Sequence, residues 1–365
     1  MSTDSTSTGS TGAESLWEPY TPVRQQPASP LPPPPPPTPP GKPRIRRTVA
    51  VGCLTLVVLL VAGVGFALVL SERLGNNVTR VQNAFGDLDE ATRPAPTGGL
   101  TFLLVGTDSR SENTPAGVDA RGATSEGDVV MVAKVAPDRK SAVVLSIPRD
   151  TLVDIPGRRT DRIATAYSNG SPSLLIRTVE NLTELRIDHF AVIDFAGFRS
   201  MVDAVGGIDV DLTSPPSSLG RGVQHLDGAQ ALLYVRERTG YANGDRARRQ
   251  QNALRAMLIK AASSGTLTDP VQLYDFLDAL TRSVGVDDTL SNGGMRALGL
   301  KLSELGAGEV TFVRAPVANV GQQGGQVVVR LDGARAPELW AAVRDGAVAD
   351  YVARNATDAL GPVTR

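Results

Sequence analysis

Apolar and polar positions divide the chain into three stretches. Residues 1–47 carry almost no apolar periodicity, residues 48–70 carry no charge, and from Leu100 onward short β-branched runs alternate with segments of helical spacing. Residues 100–105 are an apolar run closing on Gly106-Thr107-Asp108-Ser109-Arg110, the form of a buried strand that delivers polar groups at its C-terminal end. Residues 129–135 and 142–147 read as two more strands, with Asp138-Arg139-Lys140 as a hairpin turn between them. Further strands are expected at 189–193, 208–212, 309–313 and 327–331. Helical spacing marks 173–185, 195–205, 246–263, 270–282, 295–305 and 337–347, with Gly206-Gly207 as a stop signal and Asp227-Gly228 opening a short helix. Alternating strands and helices predict an α/β domain, an α-β-α sandwich with a central mixed sheet.

The other two stretches have a different character. Twelve of the 26 prolines fall within residues 1–41, including the run Pro32 to Pro37, which favours polyproline II and predicts a disordered tail. Such a tail serves as a solvated spacer or as a ligand for a proline-reading module. Lys42, Arg44, Arg46 and Arg47 directly precede the uncharged stretch. As a helix, residues 48–70 would span about 34 Å, enough to cross a bilayer core. A secretory signal has a shorter apolar core near the N-terminus, so an uncleaved single-pass transmembrane helix is expected. The basic flank places the tail in the cytoplasm and the rest of the chain outside the cell membrane. The predicted organisation is a cytoplasmic Pro-rich tail (1–47), a transmembrane helix (48–70), a juxtamembrane stalk (71–98), a folded exported domain (99–350) and a C-terminal tail (351–365).

Composition narrows the chemistry. The formal net charge of −1 argues against a nucleic-acid binder. One cysteine and two histidines exclude a disulfide within the chain and the usual four-ligand zinc sites. Carboxylates and arginines remain as the main tools. Asp108 and Arg110 stand two apart after a strand, Arg149-Asp150 follows another strand, and Arg236 with Arg238 repeats the two-apart spacing. Arg246 and Gln250 share one helix face, with Arg249 close by. Guanidinium forks suit phosphate oxygens, and Mg²⁺ takes one or two carboxylates plus phosphates, so a pyrophosphate substrate would satisfy both sets. Taken singly, each pair also reads as a rim salt bridge or a solvated helix face.

The ordered blocks Leu103-Leu104-Val105-Gly106-Thr107-Asp108-Ser109-Arg110, Gly127-Asp128-Val129-Val130, Ser146-Ile147-Pro148-Arg149-Asp150, Ile163-Ala164-Thr165-Ala166-Tyr167, Leu226-Asp227-Gly228-Ala229-Gln230 and Tyr234-Val235-Arg236-Glu237-Arg238 resemble the LytR-CpsA-Psr family. The resemblance implies an α-β-α sandwich with an apolar lipid pocket. It also implies a Mg²⁺-dependent phosphotransferase that moves a glycopolymer from a polyprenyl-pyrophosphate carrier onto peptidoglycan through a phosphodiester. Teichoic acid, arabinogalactan and capsule all fit that description. Carried over by motif, Asp108 and Asp128 would hold the metal. Arg110, Arg149, Arg236, Arg238, Arg246 and Gln250 would grip the pyrophosphate, and Asp150 or Asp108 would serve as base. Pyrophosphate hydrolysis is the implied side reaction. Two positions depart from the family pattern: Asn243 stands where an acid is usual, and Glu126-Gly127 stands where an Arg-Ser pair is usual before Asp128. The competing classes are a membrane-anchored regulator and a wall-polymer binding protein without turnover. Carboxylates beside the arginines favour the metal enzyme, because a pure anion binder gains nothing from them.

Overall fold

In the strand Leu100–Thr107 every second side chain is fully buried and the ones between are half-buried, so one face of the sheet is sealed more tightly than the other. The computed structural model describes residues 72–107, 127–168, 171–212, 219–237, 245–263, 269–302 and 305–361. Its strands are β1 (Thr79–Val81), β2 (Leu100–Thr107), β3 (Gly127–Val135), β4 (Ala142–Ile147), β5 (Leu152–Val153), β6 (Asp161–Arg162), β7 (His189–Asp194), β8 (Ile208–Leu212), β9 (Gly222–Leu226), β10 (Val284–Asp287), β11 (Val310–Arg314), β12 (Val317–Gln323) and β13 (Gln326–Leu331). Seven of them form one mixed sheet in the order β1-β10-β7-β2-β3-β4-β11, and the other six pair as hairpins β5–β6, β8–β9 and β12–β13.

Helices cover both faces. Leu103, Val105, Val130, Val132, Leu145, Ile147, Phe190 and Val192 pack under the helices Ile163–Ser168, Pro172–Thr183, Arg335–Asp345 and Val348–Arg354. Met131, Val144 and Phe312, on the other face, meet Leu254 and Leu258 of the long Asp245–Ser263 helix. A further apolar cluster joins the Phe195–Ala204 and Gly228–Arg236 helices to β8, β9 and the long helix. The expected sandwich is therefore present. Gly206 and Gly207 adopt positive φ (78° and 85°) and stop the Phe195–Ala204 helix, and a Cβ at Gly207 would run into the His225 ring.

Both expected domain edges need correction. Residues 71–98 are not a stalk throughout: β1 joins the sheet beside β10, and Val78, Val81 and Ala84 are buried. Arg93 forms an ion pair with the buried Glu180 at 2.8 Å, and Glu180 also accepts from the Ile187 backbone N–H. Residues 351–361 are not a tail. Tyr351 is fully buried and donates to Asp358 (2.8 Å), and the Leu360 N–H bonds to the Phe312 carbonyl on β11. An amphipathic helix at the end of a chain looks like a tail until its partner surface is known. The expected Pro-rich tail and transmembrane helix lie outside the described residues. No helix among the described residues is long and apolar enough to cross a membrane.

Asp287 closes β10 against β7. It is completely buried and accepts from His189 Nδ1 (3.2 Å), from the backbone N–H groups of Phe190, Thr289 and Leu290, and from the Thr289 hydroxyl. Burial pushes its carboxyl up, but the hydrogen bonds from His189, Thr289 and Phe190 outweigh burial and hold it below the usual range. A carboxyl depressed in the folded state adds stability above its unfolded pKa, about 3.9, and loses that stability as pH falls toward the folded value. Asp287→Ala should therefore cost at least about 3 kcal/mol at pH 7, since several buried donors lose their acceptor. Asp287→Asn should flatten the acid limb of the melting curve below about pH 4. Differential scanning calorimetry across pH checks both, and an unchanged acid limb in Asp287→Asn would remove this carboxylate from the acid response.

Candidate functional site

Strand direction assembles the site. β7 runs parallel to β2, β11 runs parallel to β4, and β3 runs antiparallel between β2 and β4. The C-terminal ends Thr107, Ile147, Asp194 and Arg314 therefore meet at one edge of the sheet, together with the first residue of β3, Gly127. A register shift between the pairs Gly106↔Val129 and Thr107↔Gly127 leaves Asp128 as the unpaired residue of a bulge. This puts the backbone of Asp128 beside Thr107, the last residue of β2. The side chains of Asp108, Arg110, Asp128 and Arg238 lie outside the described residues.

The loop after β4 is held by its own backbone. The Pro148 carbonyl accepts from Thr151 (3.0 Å), the Arg149 carbonyl from Ala164 (3.1 Å) and the Asp150 carbonyl from Val329 (2.8 Å). Arg149 and Asp150 thus start from a fixed frame. Asp150 Oδ1 accepts from Arg149 Nε (3.4 Å) and from Arg162 Nη1 (3.3 Å). All three side chains are mostly buried, at 13%, 20% and 15% exposure for Arg149, Asp150 and Arg162. Both guanidiniums reach the same oxygen, so Asp150 orients two arginines rather than reaching for a hydroxyl. The hydroxyls of Thr107 and Thr151 are buried with no hydrogen-bond partner among the described residues, which leaves polar atoms at the ends of β2 and β4 unanswered by those residues.

The long helix reaches the same edge. Gln251 donates to the Val313 carbonyl (2.6 Å) near the end of β11, while Leu254 and Leu258 lie over the sheet toward its other end. Its first turns, with Arg246, Arg249 and Gln250, therefore project at the edge that carries Arg149. Arg249 is buried and donates to the Glu237 carbonyl (3.0 Å), a role that fastens the Gly228–Arg236 helix to the long one. Arg246 and Gln250 are half-buried.

One sequence expectation fails here. The Tyr234–Arg238 block was expected to place Arg236 and Arg238 on one face of an extended segment. Instead the Gly228–Arg236 helix runs through it, opened by a capping box in which Asp227 and Gln230 bond each other's backbone N–H groups. Ala231, Tyr234 and Val235 turn inward at helical spacing, and Glu237 is the C-cap. Arg236 is exposed, with its guanidinium 4.8 Å from the Phe195 ring centroid, a cation–π contact at the start of the helix that follows β7. That contact still holds Arg236 beside the C-terminal end of β7. Tyr167 is completely buried beside Phe190, and burial pushes its phenol upward, so it packs as a neutral core residue.

Two arginines at this edge escaped the sequence reading. Arg162 is the residue before the Ile163-Ala164-Thr165 block, and Arg314 ends β11 in register with Ser146 of β4. Only strand pairing shows that they lie near Arg149. Among the described residues no group of three or more His, Cys, Asp or Glu side chains could hold a metal. An open groove of about 830 Å³, lined by Arg93, Glu180, Glu184 and Arg344 among others, lies at the opposite end of the sheet, where Glu180 and Arg93 already satisfy each other.

Residues 74–345 match the family model described as the LytR_cpsA_psr family. The chain is 33% identical over 308 residues to the probable cell wall biosynthesis protein LcpB of Corynebacterium glutamicum, which covers 80% of this chain and 72% of that one. It is 33% identical over 192 residues to the polyisoprenyl-teichoic acid–peptidoglycan teichoic acid transferase TagU of Bacillus anthracis, covering 51% of this chain and 59% of that one. The crystal structure of Bacillus subtilis TagV has a similar fold, with a TM-score of 0.56 at 22% identity over 70% of this chain and 99% of that one.

The geometry separates fastening residues from presenting ones. Arg249→Met should lower stability by about 1.5–3 kcal/mol, the range for a hydrogen bond to a charged group. Gln250→Ala, two-sided by solvent and protein, should change it by less than about 0.5 kcal/mol. Urea denaturation of both variants measures the difference, and equal losses would contradict the assignment of Arg249 as the fastener.

Proposed function

The chain belongs to the LytR-CpsA-Psr family, and on that footing we propose that it is a membrane-anchored phosphotransferase that moves a glycopolymer from a polyprenyl-pyrophosphate carrier onto peptidoglycan. The observation that carries this reading is the backbone-locked loop presenting Arg149, with Arg162 sharing its carboxylate partner, at the edge where β2 and β4 end. The transferase name of the Bacillus relative points the same way.

The reaction asks for positioning and charge neutralisation more than covalent chemistry. A hydroxyl oxygen of the acceptor attacks the phosphorus on the polymer side of the pyrophosphate. The bond to the polyprenyl-side phosphate breaks, polyprenyl phosphate leaves, and the hydroxyl proton is taken up by a base. Arg149 and Arg162 face the added negative charge with planar forks, and Asp150 keeps both forks in place. Arg110, Arg236, Arg238, Arg246 and Gln250 complete the grip on this reading, and Arg236 enters from the Phe195 side. Since Asp150 is engaged by two guanidiniums, Asp108 is the better candidate for the proton.

On this reading Asp108 and Asp128 would hold a Mg²⁺ ion, since two carboxylates suffice for an ion that takes the rest of its ligands from phosphates and water. When bound, it would supply charge neutralisation at the phosphoryl group. Water in place of the acceptor would give pyrophosphate hydrolysis. The carrier's lipid tail needs an apolar wall, and Phe198, Leu232, Phe276 and Leu280 remain only partly buried around the cluster of Met201, Val202 and Tyr234. Residues 48–70 would hold the domain at the outer face of the cell membrane, where such a carrier resides.

Arg149→Lys retains the charge and removes the fork, so transfer should fall by about 1–3 kcal/mol in transition-state stabilisation, roughly 5- to 150-fold. Melting temperature should move little, because Lys keeps the positive charge beside the Asp150 carboxylate. Asp108→Ala should abolish the Mg²⁺-dependent part of the rate. The assay is transfer of a polyprenyl-pyrophosphate-linked glycopolymer to peptidoglycan under a Mg²⁺ titration. Wild-type rates in both variants would sink the reading.

A further inference from the structure

The strand at the edge of the sheet continues past the site. β11 ends on Arg314, and after Ala315 and Pro316 the chain enters the β12–β13 ribbon. The Asp332 N–H closes the base of the ribbon on the Pro316 carbonyl (2.9 Å). Its returning strand passes the Arg149 loop: Val329 donates to the Asp150 carbonyl (2.8 Å), and Thr151 pairs with Val329 in a parallel bridge. The ribbon is therefore tied by backbone to the residue after Arg149 and projects from the edge that carries the site.

Its side chains have a distinct chemistry. The register pairs Asn319 with Arg330, Gly321 with Val328 and Gln323 with Gln326, so these positions share one face. Arg330 reaches across Gly321 to donate to Gln323 Oε1 (3.4 Å), and a Cβ on Gly321 would sit 3.3 Å from the Arg330 guanidinium. Asn319, Gln323, Gln326 and Arg330 are all exposed on this face, flanking Gly321 and the buried Val328 at its centre. Residues 317–331 contain no carboxylate and a single cation. An amide offers a donor and an acceptor side by side without charge, which suits the hydroxyl and acetamido groups of a sugar chain better than it suits a phosphate. The arginines of the site have the complementary preference for the anion.

We propose that the exposed amide face of the β12–β13 ribbon is the docking strip for the acceptor, a glycan strand of peptidoglycan, and that it delivers an acceptor hydroxyl to the edge held by Arg149. The identity of the acceptor rests on the transferase reading above; the placement of the strip rests on the ribbon's own tie to the Arg149 loop. The strip is a positioning surface and takes no part in bond making.

The test uses the full-length chain and a triple variant, Asn319→Ala with Gln323→Ala and Gln326→Ala. The probes are solubilised, uncross-linked peptidoglycan glycan strands and polyprenyl pyrophosphate. Each lost hydrogen bond is worth a factor of a few to about ten, so strand affinity should fall roughly tenfold or more. The KM for strands should rise in step, with kcat at saturating strands, affinity for polyprenyl pyrophosphate and melting temperature unchanged. Arg149→Lys should show the reverse pattern, with strand binding intact and the donor step impaired. Wild-type strand affinity in the triple variant overturns the proposal, and so does a wild-type chain that binds polyprenyl pyrophosphate but no strands. A wild-type chain that binds strands through this face but not polyprenyl pyrophosphate overturns the transferase reading and leaves the strip standing.

Discussion

Strand direction is the constraint on which the rest depends. β2 pairs parallel with β7 and antiparallel with β3, and β4 pairs parallel with β11. A parallel partner requires the chain to return through a crossover, which lays helices on the sheet and brings C-terminal strand ends to a common edge. Thr107, Ile147, Asp194 and Arg314 arrive there from distant parts of the sequence. Had any one of these strands paired in the other sense, its terminal residues would lie at the far edge, beside Asp287 and Asp188.

The two edges handle buried charge differently. At the far edge, Asp287 is fully buried and accepts from several donors, and Asp188 accepts from the Thr101 backbone. Such saturated carboxylates fix strand register and leave little for a ligand, because an unpaired buried charge would cost several kcal/mol. At the site edge, arginines hold the described carboxylate of Asp150. Asp150 is shared by two guanidiniums through one oxygen, and the Thr107 and Thr151 hydroxyls have no partner among the described residues. Guanidiniums fixed at a strand edge present planar forks that suit an anion's oxygens. The same reasoning explains why Arg249, though adjacent to Gln250, is structural: its guanidinium is buried against a backbone carbonyl.

The two faces of the sheet are covered to different degrees. The sealed face of the sheet carries the fully buried side chains and the helices that cover them. The opposite side carries a cluster whose rim, including Phe198, Phe276 and Leu280, stays partly open. Arg236 stacks on Phe195 where that rim meets the site edge. A partly open apolar rim and an arginine-bearing edge thus adjoin.

Local pattern by itself determined most elements. An apolar run gave away β2 and β-branched runs gave away β3 and β4, the hairpin turn at Asp138-Arg139-Lys140 is present with Arg139 at positive φ, and helical spacing located the long Asp245–Ser263 helix. Arg149 and Asp150 were legible because a proline and a strand end mark their loop. Only the tertiary structure decided what long-range pairing controls. The short strands β1 and β10 carry too few residues to show a period, and β9 and β12 are polar, so neither pair is distinguishable from loop. Arg236 looked like a strand residue because the two-apart spacing of charges outweighed the helical spacing of Ala231, Tyr234 and Val235, which matter only once a core exists to receive them. Arg162 and Arg314 carry no local signal at all. Arg314 nears Arg149 through the pairing of β11 with β4, strands far apart in sequence, and Arg162 through the Asp150 carboxylate; a residue's neighbours along the chain hold no information about either contact.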